Sequence, residues 1–135
     1  MSCSQRKIRK DGLISATQRY DGPAFRVLRK YLRQMADPRL SVYVLSARFG
    51  VIAGRHRIPY YDRRMNAKRA KSLRKHAVQK IKSVLRNRRY HDAFFIGGRN
   101  YLCAVEPLSQ FEAVFRQAKG KPGQKLKSLY NWLRE

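Results

Sequence analysis

The sequence predicts an α/β fold, with a small, mostly parallel sheet flanked by amphipathic helices. Two short runs at residues 41–46 and 92–96 are rich in apolar and aromatic residues, as buried strands are. Between and after them lie longer segments whose apolar residues recur every three or four positions. Strands that alternate with helices usually pair in parallel. The chain has 135 residues, 43% of them hydrophobic, so we expect a single domain over residues 1–135.

The first helix is predicted to begin at Pro23, because residues 1–22 are polar and basic without sustained periodicity and proline favours a first helical turn. The sequence Asp37-Pro38 should end it. Its apolar face should comprise Ala24, Val27, Leu28, Tyr31 and Met35. Its basic face should comprise Arg26, Arg29, Lys30 and Arg33, which we expect to contact phosphates.

The longest helix is predicted over residues 67–88, with Asn66 as its N-cap. Residues 46–65 before it are interpreted as a long loop. After the strand at 92–96, a further helix is predicted from Pro107 to Gly120, followed by a turn at Lys121 and a last amphipathic helix. The core stripe of the longest helix should be Ala70, Leu73, Ala77, Ile81 and Val84. The last helix should bury Leu126, Leu129, Tyr130 and Leu133.

The charge of the chain indicates a polyanionic partner. Thirty-two lysines and arginines against eight acidic residues give a net charge of +24. Solubility alone needs a net charge of only about 2–8. Nucleic acid, either DNA or RNA, is the expected partner, and a membrane is not, since no apolar run approaches the ~20 residues of a span. The chain has only two cysteines and no recognisable secretory signal, which indicates a cytoplasmic protein. The cysteines lack the spacing of a zinc site, and no metal or cofactor is expected.

The basic and aromatic residues of the loop 46–65 and of the following helix are the candidate nucleic-acid contacts. Arginine forks bind phosphate, and tyrosine rings stack on unpaired bases. In the alternative interpretation, Tyr60 and Tyr61 pack over the end of the sheet and Asp62 pairs with Arg63 or Arg64. The candidates are Arg48, Arg55, Arg57, Tyr60, Tyr61, Arg63, Arg64, Lys68, Lys71, Lys75, Lys82 and Arg86.

Chemistry at the carboxyl edge of the sheet would depend on two residues. Asp62 is the only acidic residue between Asp37 and Asp92 and could act as a base or nucleophile, and Cys3 stands near positive charge that favours a thiolate. Hydroxyls, backbone N–H groups and positive charge at the same edge could hold a phosphate. These phosphate candidates are Ser4, Lys7, Gly97, Gly98 and Arg99, although a plain tight turn is the favoured interpretation of the segment Gly97-Gly98-Arg99-Asn100.

Five segments in order carry a family resemblance: SCSQRK at the start, YDGPAFR at 20–26, LSARFGVI at 45–52, IPYYDRRM at 58–65 and FIGGRNYL at 95–102. The chain resembles small bacterial YaaA-like proteins, which are labelled as peroxide-stress proteins. The resemblance implies DNA binding and protection against peroxide. It also implies one sheet edge lined by Cys3, Ser4, Lys7, Ser46, Arg48, Gly50, Tyr61, Asp62, Gly97, Gly98 and Tyr101. Such proteins have a hydrophobic strand before SCS, so a first strand here stays open.

Three functions are open on the sequence alone. The leading one is nucleic-acid binding linked to oxidative-stress protection of DNA. The second is an enzyme that modifies nucleotides or nucleic-acid bases at the carboxyl edge of the sheet. The third is a structural component of an RNA–protein assembly, in which small basic chains are common.

Overall fold

The computed structural model describes residues 1–88 and 90–135. Helices and short strands follow one another along the chain, which confirms the α/β character. The strands are β1 (Ile14–Ser15), β2 (Tyr43–Ser46), β3 (Gly50–Ala53), β4 (Arg57–Ile58), β5 (Asp92–Phe95) and β6 (Val114–Gln117). The α-helices are α1 (Ala16–Arg19), α2 (Pro23–Gln34), α3 (Ala67–Asn87), α4 (Arg99–Cys103) and α5 (Pro122–Leu133), with a 3₁₀ turn at Leu108–Gln110.

The strands pair in three small sheets, so the prediction of one mostly parallel sheet is wrong. Strands β1 and β4 pair antiparallel, β2 and β3 pair antiparallel, and β5 and β6 pair parallel. Residues 1–3 join two of these sheets. Cys3 N donates to Leu45 O at 3.0 Å, and Ser2 N donates to Ile96 O at 2.9 Å. The N-terminal segment therefore lies between β2 and the end of β5, as an isolated parallel bridge from Ser2 to Leu45 rather than a full strand.

The segment 46–65 is not the long loop that the sequence predicts. It contains β3 and β4, and β3 returns along β2 as a tight hairpin in which Ser46 faces Gly50. Ser46 Oγ accepts hydrogen bonds from Arg48 N at 3.2 Å and Phe49 N at 3.0 Å, which fixes the turn. Gly50 has φ 73°, a left-handed conformation that glycine adopts without steric cost.

Alternate residues of the strands face different helices. Leu45 and Phe95 pack in one cluster with Ala70 and Ala77 of α3. Ile96, which follows Phe95 in the chain, packs with Leu28 of α2 and with Leu129 and Leu133 of α5. Since successive strand side chains point to opposite faces, α3 covers one face and α2 and α5 cover the other. The predicted stripe of α3 is confirmed: Ala70, Leu73 and Ala77 are buried, and Ile81 and Val84 are half-buried.

The helix predicted from Pro107 to Gly120 does not form. Its apolar residues have helical spacing, but residues 114–117 pair with β5 in the register Asp92 with Val114 and Phe95 with Gln117. The predicted apolar faces of α2 and α5 are wrong in detail. Phe25 is buried on α2, whereas Met35 and Tyr130 are exposed. Residues 1–22 are mostly loop, with the short elements β1 and α1.

Two buried charges organise the polar N-terminal region. The guanidinium of Arg19, fully buried, donates to the carbonyls of Ile8 and Lys10 at 2.8 Å, Gly12 at 2.7 Å and Ile58 at 3.2 Å, and so fixes residues 8–12 against β4. Asp21 pairs with Arg26 at 3.0 Å, Arg29 at 2.5 Å and Arg6 at 3.4 Å.

No α-helix in the described residues is long and apolar enough to span a bilayer.

Candidate functional site

Three chain segments meet beside the carboxyl ends of the central strands and enclose a cavity of about 300 Å³. Residues 3–7 follow the bridge to β2, residues 62–65 connect β4 to α3, and residues 98–101 follow β5 and begin α4. The first loop and the loop after Ile96 thus both contribute to one cavity. Open α/β sheets commonly bind ligands at this position.

Three buried hydroxyls lie behind the cavity. The Tyr61 hydroxyl is 2.5 Å from that of Tyr20 and 2.9 Å from Ser46 Oγ, and Tyr20 donates to Ser46 at 3.2 Å. Burial raises the pKa of Tyr20 to about 12 and also raises the pKa of Tyr61. Both phenols therefore stay protonated at neutral pH. Tyr61 is 4% exposed, so its ring offers no face to a base, and the expectation that it stacks is corrected in favour of packing.

Lys7 connects this hydroxyl cluster to the cavity. Its ammonium lies 4.7 Å from the centre of the Tyr61 ring and 5.9 Å from the centre of the Tyr20 ring, which is a cation–π arrangement. The ammonium also donates a hydrogen bond to Gln5 O at 3.3 Å. Burial lowers the pKa of Lys7, and electrostatic interactions with Cys3 and Asp62 partly oppose that shift. Lys7 thus lines the cavity as a partly desolvated cation.

The two predicted chemical residues both line the cavity. Cys3 is 6% exposed, and its Sγ is 3.0 Å from the Tyr101 hydroxyl, in a hydrogen bond that either atom can donate. Burial, with a smaller effect of Cys3, raises the pKa of Tyr101. Asp62 is exposed, and within the described residues no ion pair joins it to Arg63 or Arg64, so the alternative of a structural pair does not hold.

The predicted phosphate residues divide into two groups. Lys7, Gly98 and Arg99 line the cavity, and Gly98 is the N-cap residue of α4. Ser4 also lines it, but its hydroxyl donates to Arg6 O at 2.7 Å and accepts from Gly22 N at 3.2 Å, so it holds its own loop. Gly97 does not line the cavity. It packs against Ser2, and a Cβ atom added to Gly97 would lie 2.9 Å from the Ser2 side chain.

Several predicted nucleic-acid contacts are not among the residues that line the cavity. Arg57 donates to Leu13 O at 2.9 Å, and Arg55 lies exposed on the turn before β4. Tyr60 is 40% exposed, with the Arg9 guanidinium 5.3 Å from its ring centre. Arg48 lies 5.1 Å from the centre of the Phe49 ring. The basic residues predicted on α3 are all exposed, and they are Lys68, Lys71, Lys75, Lys82 and Arg86.

Sequence reasoning missed some residues of the site. Tyr20 was not a candidate, although it stands in the YDGPAFR segment, and nothing in the spacing predicted that its hydroxyl would reach Ser46. Asn100 also lines the cavity, whereas the sequence assigns it only to a turn. Ser46 and Tyr101 came from the family resemblance and not from a pattern. In residues 1–88 and 90–135, no group of three or more His, Cys, Asp or Glu could hold a metal ion.

A family model described as "Family of unknown function (DUF6884)" matches residues 1–131. The chain belongs to this family. The match contains all three segments that form the cavity. No curated protein and no solved structure matches the chain. The family description gives no activity, and the resemblance to YaaA-like proteins stays a prediction.

Proposed function

We propose that the protein binds nucleic acid, with α3 lying along the phosphate backbone. The observation that carries this proposal is the exposed face of α3, which presents Lys68, Lys71, Lys75, Lys82 and Arg86. At 100° per residue these five side chains fall within a sector of about 60°, and they extend over about 27 Å of helix. A straight row of cations of this length suits successive phosphates of a strand or duplex.

These cations have no acidic partner in the part of the chain that the structure describes. The ion pairs there engage Arg6, Arg26, Arg29, Arg39 and Arg116, and none of these residues lies on α3. The other predicted basic face, on α2, is weaker, because Arg26 and Arg29 are committed to Asp21. The proposal therefore assigns the main phosphate contact to α3.

The basic face of α3 continues towards the cavity. Arg63 and Arg64 immediately precede α3 and line the cavity. Arg69 anchors the start of the helix by donating to Ala47 O at 2.7 Å and Arg48 O at 3.0 Å. A strand bound along α3 would thus reach the cavity at its end.

The test is a salt titration of binding to duplex DNA, with a fourfold variant in which Lys68, Lys71, Lys75 and Lys82 are replaced by Gln. Affinity falls with salt, and each phosphate contact adds about 0.9 to the steepness of log affinity against log salt. Four lost contacts should therefore make this dependence less steep by roughly 3.6. From 50 to 200 mM salt, the wild-type affinity should then fall about 100-fold more than that of the variant. Gln has nearly the helix propensity of Lys, so stability should hardly change.

A matched control removes four charges from the helices on the opposite face. It replaces Lys30 and Arg33 of α2, and Lys127 and Arg134 at α5, with Gln; all four are exposed. The control should keep most of the wild-type slope. Equal flattening in both variants would contradict a specific role of α3 and would indicate a diffuse effect of net charge.

A second candidate function is catalysis on nucleotides or nucleic-acid bases. It is favoured by Lys7, Asp62 and the hydrogen-bonded pair of Cys3 and Tyr101, which share one cavity. A partly desolvated lysine beside a free carboxylate is suited to proton transfer.

Protection of DNA against peroxide, which the YaaA-like resemblance implies, would be tested by the peroxide sensitivity of DNA with and without bound protein.

A further inference from the structure

The cavity beside the strand ends has an excess of positive charge. Lys7, Arg63, Arg64 and Arg99 line it, and Asp62 is the only carboxylate among its lining residues. These cations come from three separate chain segments, so the tertiary structure brings together like charges that the sequence keeps apart. An arrangement of this kind costs electrostatic free energy unless an anion is bound.

The three arginines of the cavity are free to bind a ligand. In the described residues, no side-chain hydrogen bond or ion pair uses the guanidinium of Arg63, Arg64 or Arg99, and all three are exposed. Burial lowers the pKa of Arg69, and the positive charge of Arg63 adds to that shift. The guanidinium of Arg63 thus stands close to another cation, which an anion would offset.

The size and charge of the cavity suit a phosphate monoester. Its volume of about 300 Å³ lies at the lower end of the range for small-molecule sites, roughly 300–1,000 Å³. A monoester carries about −1.5 to −2 charges at pH 7 and three free oxygens, whereas each internal phosphate of a strand carries one charge. Arginine forks can bind such oxygens in pairs. Asn100 and Gln5 add amide groups to the lining.

We propose that the cavity formed by residues 3–7, 62–65 and 98–101 binds the phosphate monoester of a nucleotide, either a free mononucleotide or the phosphorylated end of a strand. This inference rests on the proposed nucleic-acid binding and adds recognition of an end to it. The row of cations on α3 holds the chain of internal phosphates, and the cavity holds the terminal one.

The first experiment titrates a nucleoside 5′-monophosphate and the corresponding nucleoside by calorimetry at about 150 mM salt, where long-range charge effects are screened. The wild-type protein should bind the monophosphate roughly 10- to 100-fold more tightly than the nucleoside, as expected for charged hydrogen bonds. The double variant Arg63→Gln, Arg99→Gln should lose most of this difference. The control Lys119→Gln, Lys127→Gln removes the same charge from exposed residues outside both the cavity and α3, and it should keep the difference.

Folding can be separated from binding. Both arginines of the double variant are exposed, so its melting temperature should match the wild type. Should it fall, the pair Arg63→Lys and Arg99→Lys preserves the charge but removes the planar fork, and it should retain weaker, not absent, discrimination. Equal binding of the monophosphate and the nucleoside by the wild type would overturn the proposal. So would equal losses in the cavity variant and the control variant.

The second experiment identifies the source of the phosphate. Single strands of one sequence, with a 5′-phosphate, a 3′-phosphate or two hydroxyl ends, are compared for affinity. A gain of tenfold or more from one phosphorylated end, lost in the cavity variant, supports strand-end binding; a gain with the mononucleotide alone supports a free nucleotide. Absence of both gains overturns the inference. Strand binding that depends on α3 but not on end phosphate would leave the proposed function intact.

Discussion

Replacing Tyr61 with Phe tests whether this residue belongs to the interior or to the binding surface. The Tyr61 ring packs edge-on against Tyr20 and Phe49, at centroid distances of 6.2 and 5.3 Å. Its hydroxyl bonds to Tyr20 at 2.5 Å and to Ser46 at 2.9 Å, all within the buried region. The substitution keeps the ring contacts and removes only the hydroxyl.

The cost follows from the hydrogen bonds that are lost. Tyr20 and Ser46 still bond to each other at 3.2 Å, but each loses its bond to Tyr61. Each hydrogen bond that is lost contributes about 0.5–1.5 kcal/mol, so the two together contribute about 2 kcal/mol. With a urea dependence of about 1–3 kcal/mol per molar, a loss of ~2 kcal/mol should move the unfolding midpoint down by roughly 1 M. Urea unfolding followed by circular dichroism measures this shift.

The neighbouring Tyr60 provides the matched control, because it is 40% exposed and has no hydrogen bond from its hydroxyl within the described residues. Tyr60→Ala should leave the midpoint nearly unchanged. If its ring stacks on a base, the variant should lose about 1–3 kcal/mol of single-strand binding and less on duplex. A Tyr61→Phe midpoint equal to the wild type would refute the buried network.

Three further variants test the charged groups. Asp62→Asn should leave polyanion binding equal or tighter, while any turnover of a nucleotide should fall by orders of magnitude; turnover that persists in this variant excludes Asp62 from the chemistry. The hydrogen bond from Arg26, with smaller effects of Arg29, lowers the pKa of Asp21 from the usual 3.8 to about 2. Its stabilising effect is therefore complete above about pH 5 and is lost as the pH falls towards 2, so Asp21→Asn should flatten acid unfolding over that window. Arg19→Lys keeps the charge but offers three donors to four carbonyls, so limited proteolysis should cut residues 8–12 faster than in the wild type.

Local patterns predicted the long helices well. Pro23 begins α2 as expected, and Asn66 caps α3 by accepting a hydrogen bond from Arg69 N at 2.8 Å. The apolar stripe of α3 and its basic face also follow from the 3.6-residue repeat. These features depend on contacts between residues a few positions apart, so they can be read in one sequence.

Pairing between distant segments determined the strands that the apolar periodicity could not predict. Residues 108–118 have helical apolar spacing, but β6 forms because its backbone pairs with β5, some twenty residues earlier. The hairpin of β2 and β3 was missed for a related reason. Its strands are four residues each, too short for an alternation signal, and its turn depends on the Ser46 hydroxyl and the left-handed Gly50.

The sequence by itself determined the excess of positive charge, the main helices and the residue types of the candidate site. Only the tertiary structure decided which of them meet. Residues 3–7, 62–65 and 98–101 are separated by tens of positions and form one cavity because the N-terminal segment inserts between β2 and the end of β5. The same packing buries Tyr61 and leaves Tyr60 exposed, although the two are adjacent in sequence. Composition and spacing carry no information on such contacts, since they depend on hydrogen bonds and burial between elements far apart in the chain.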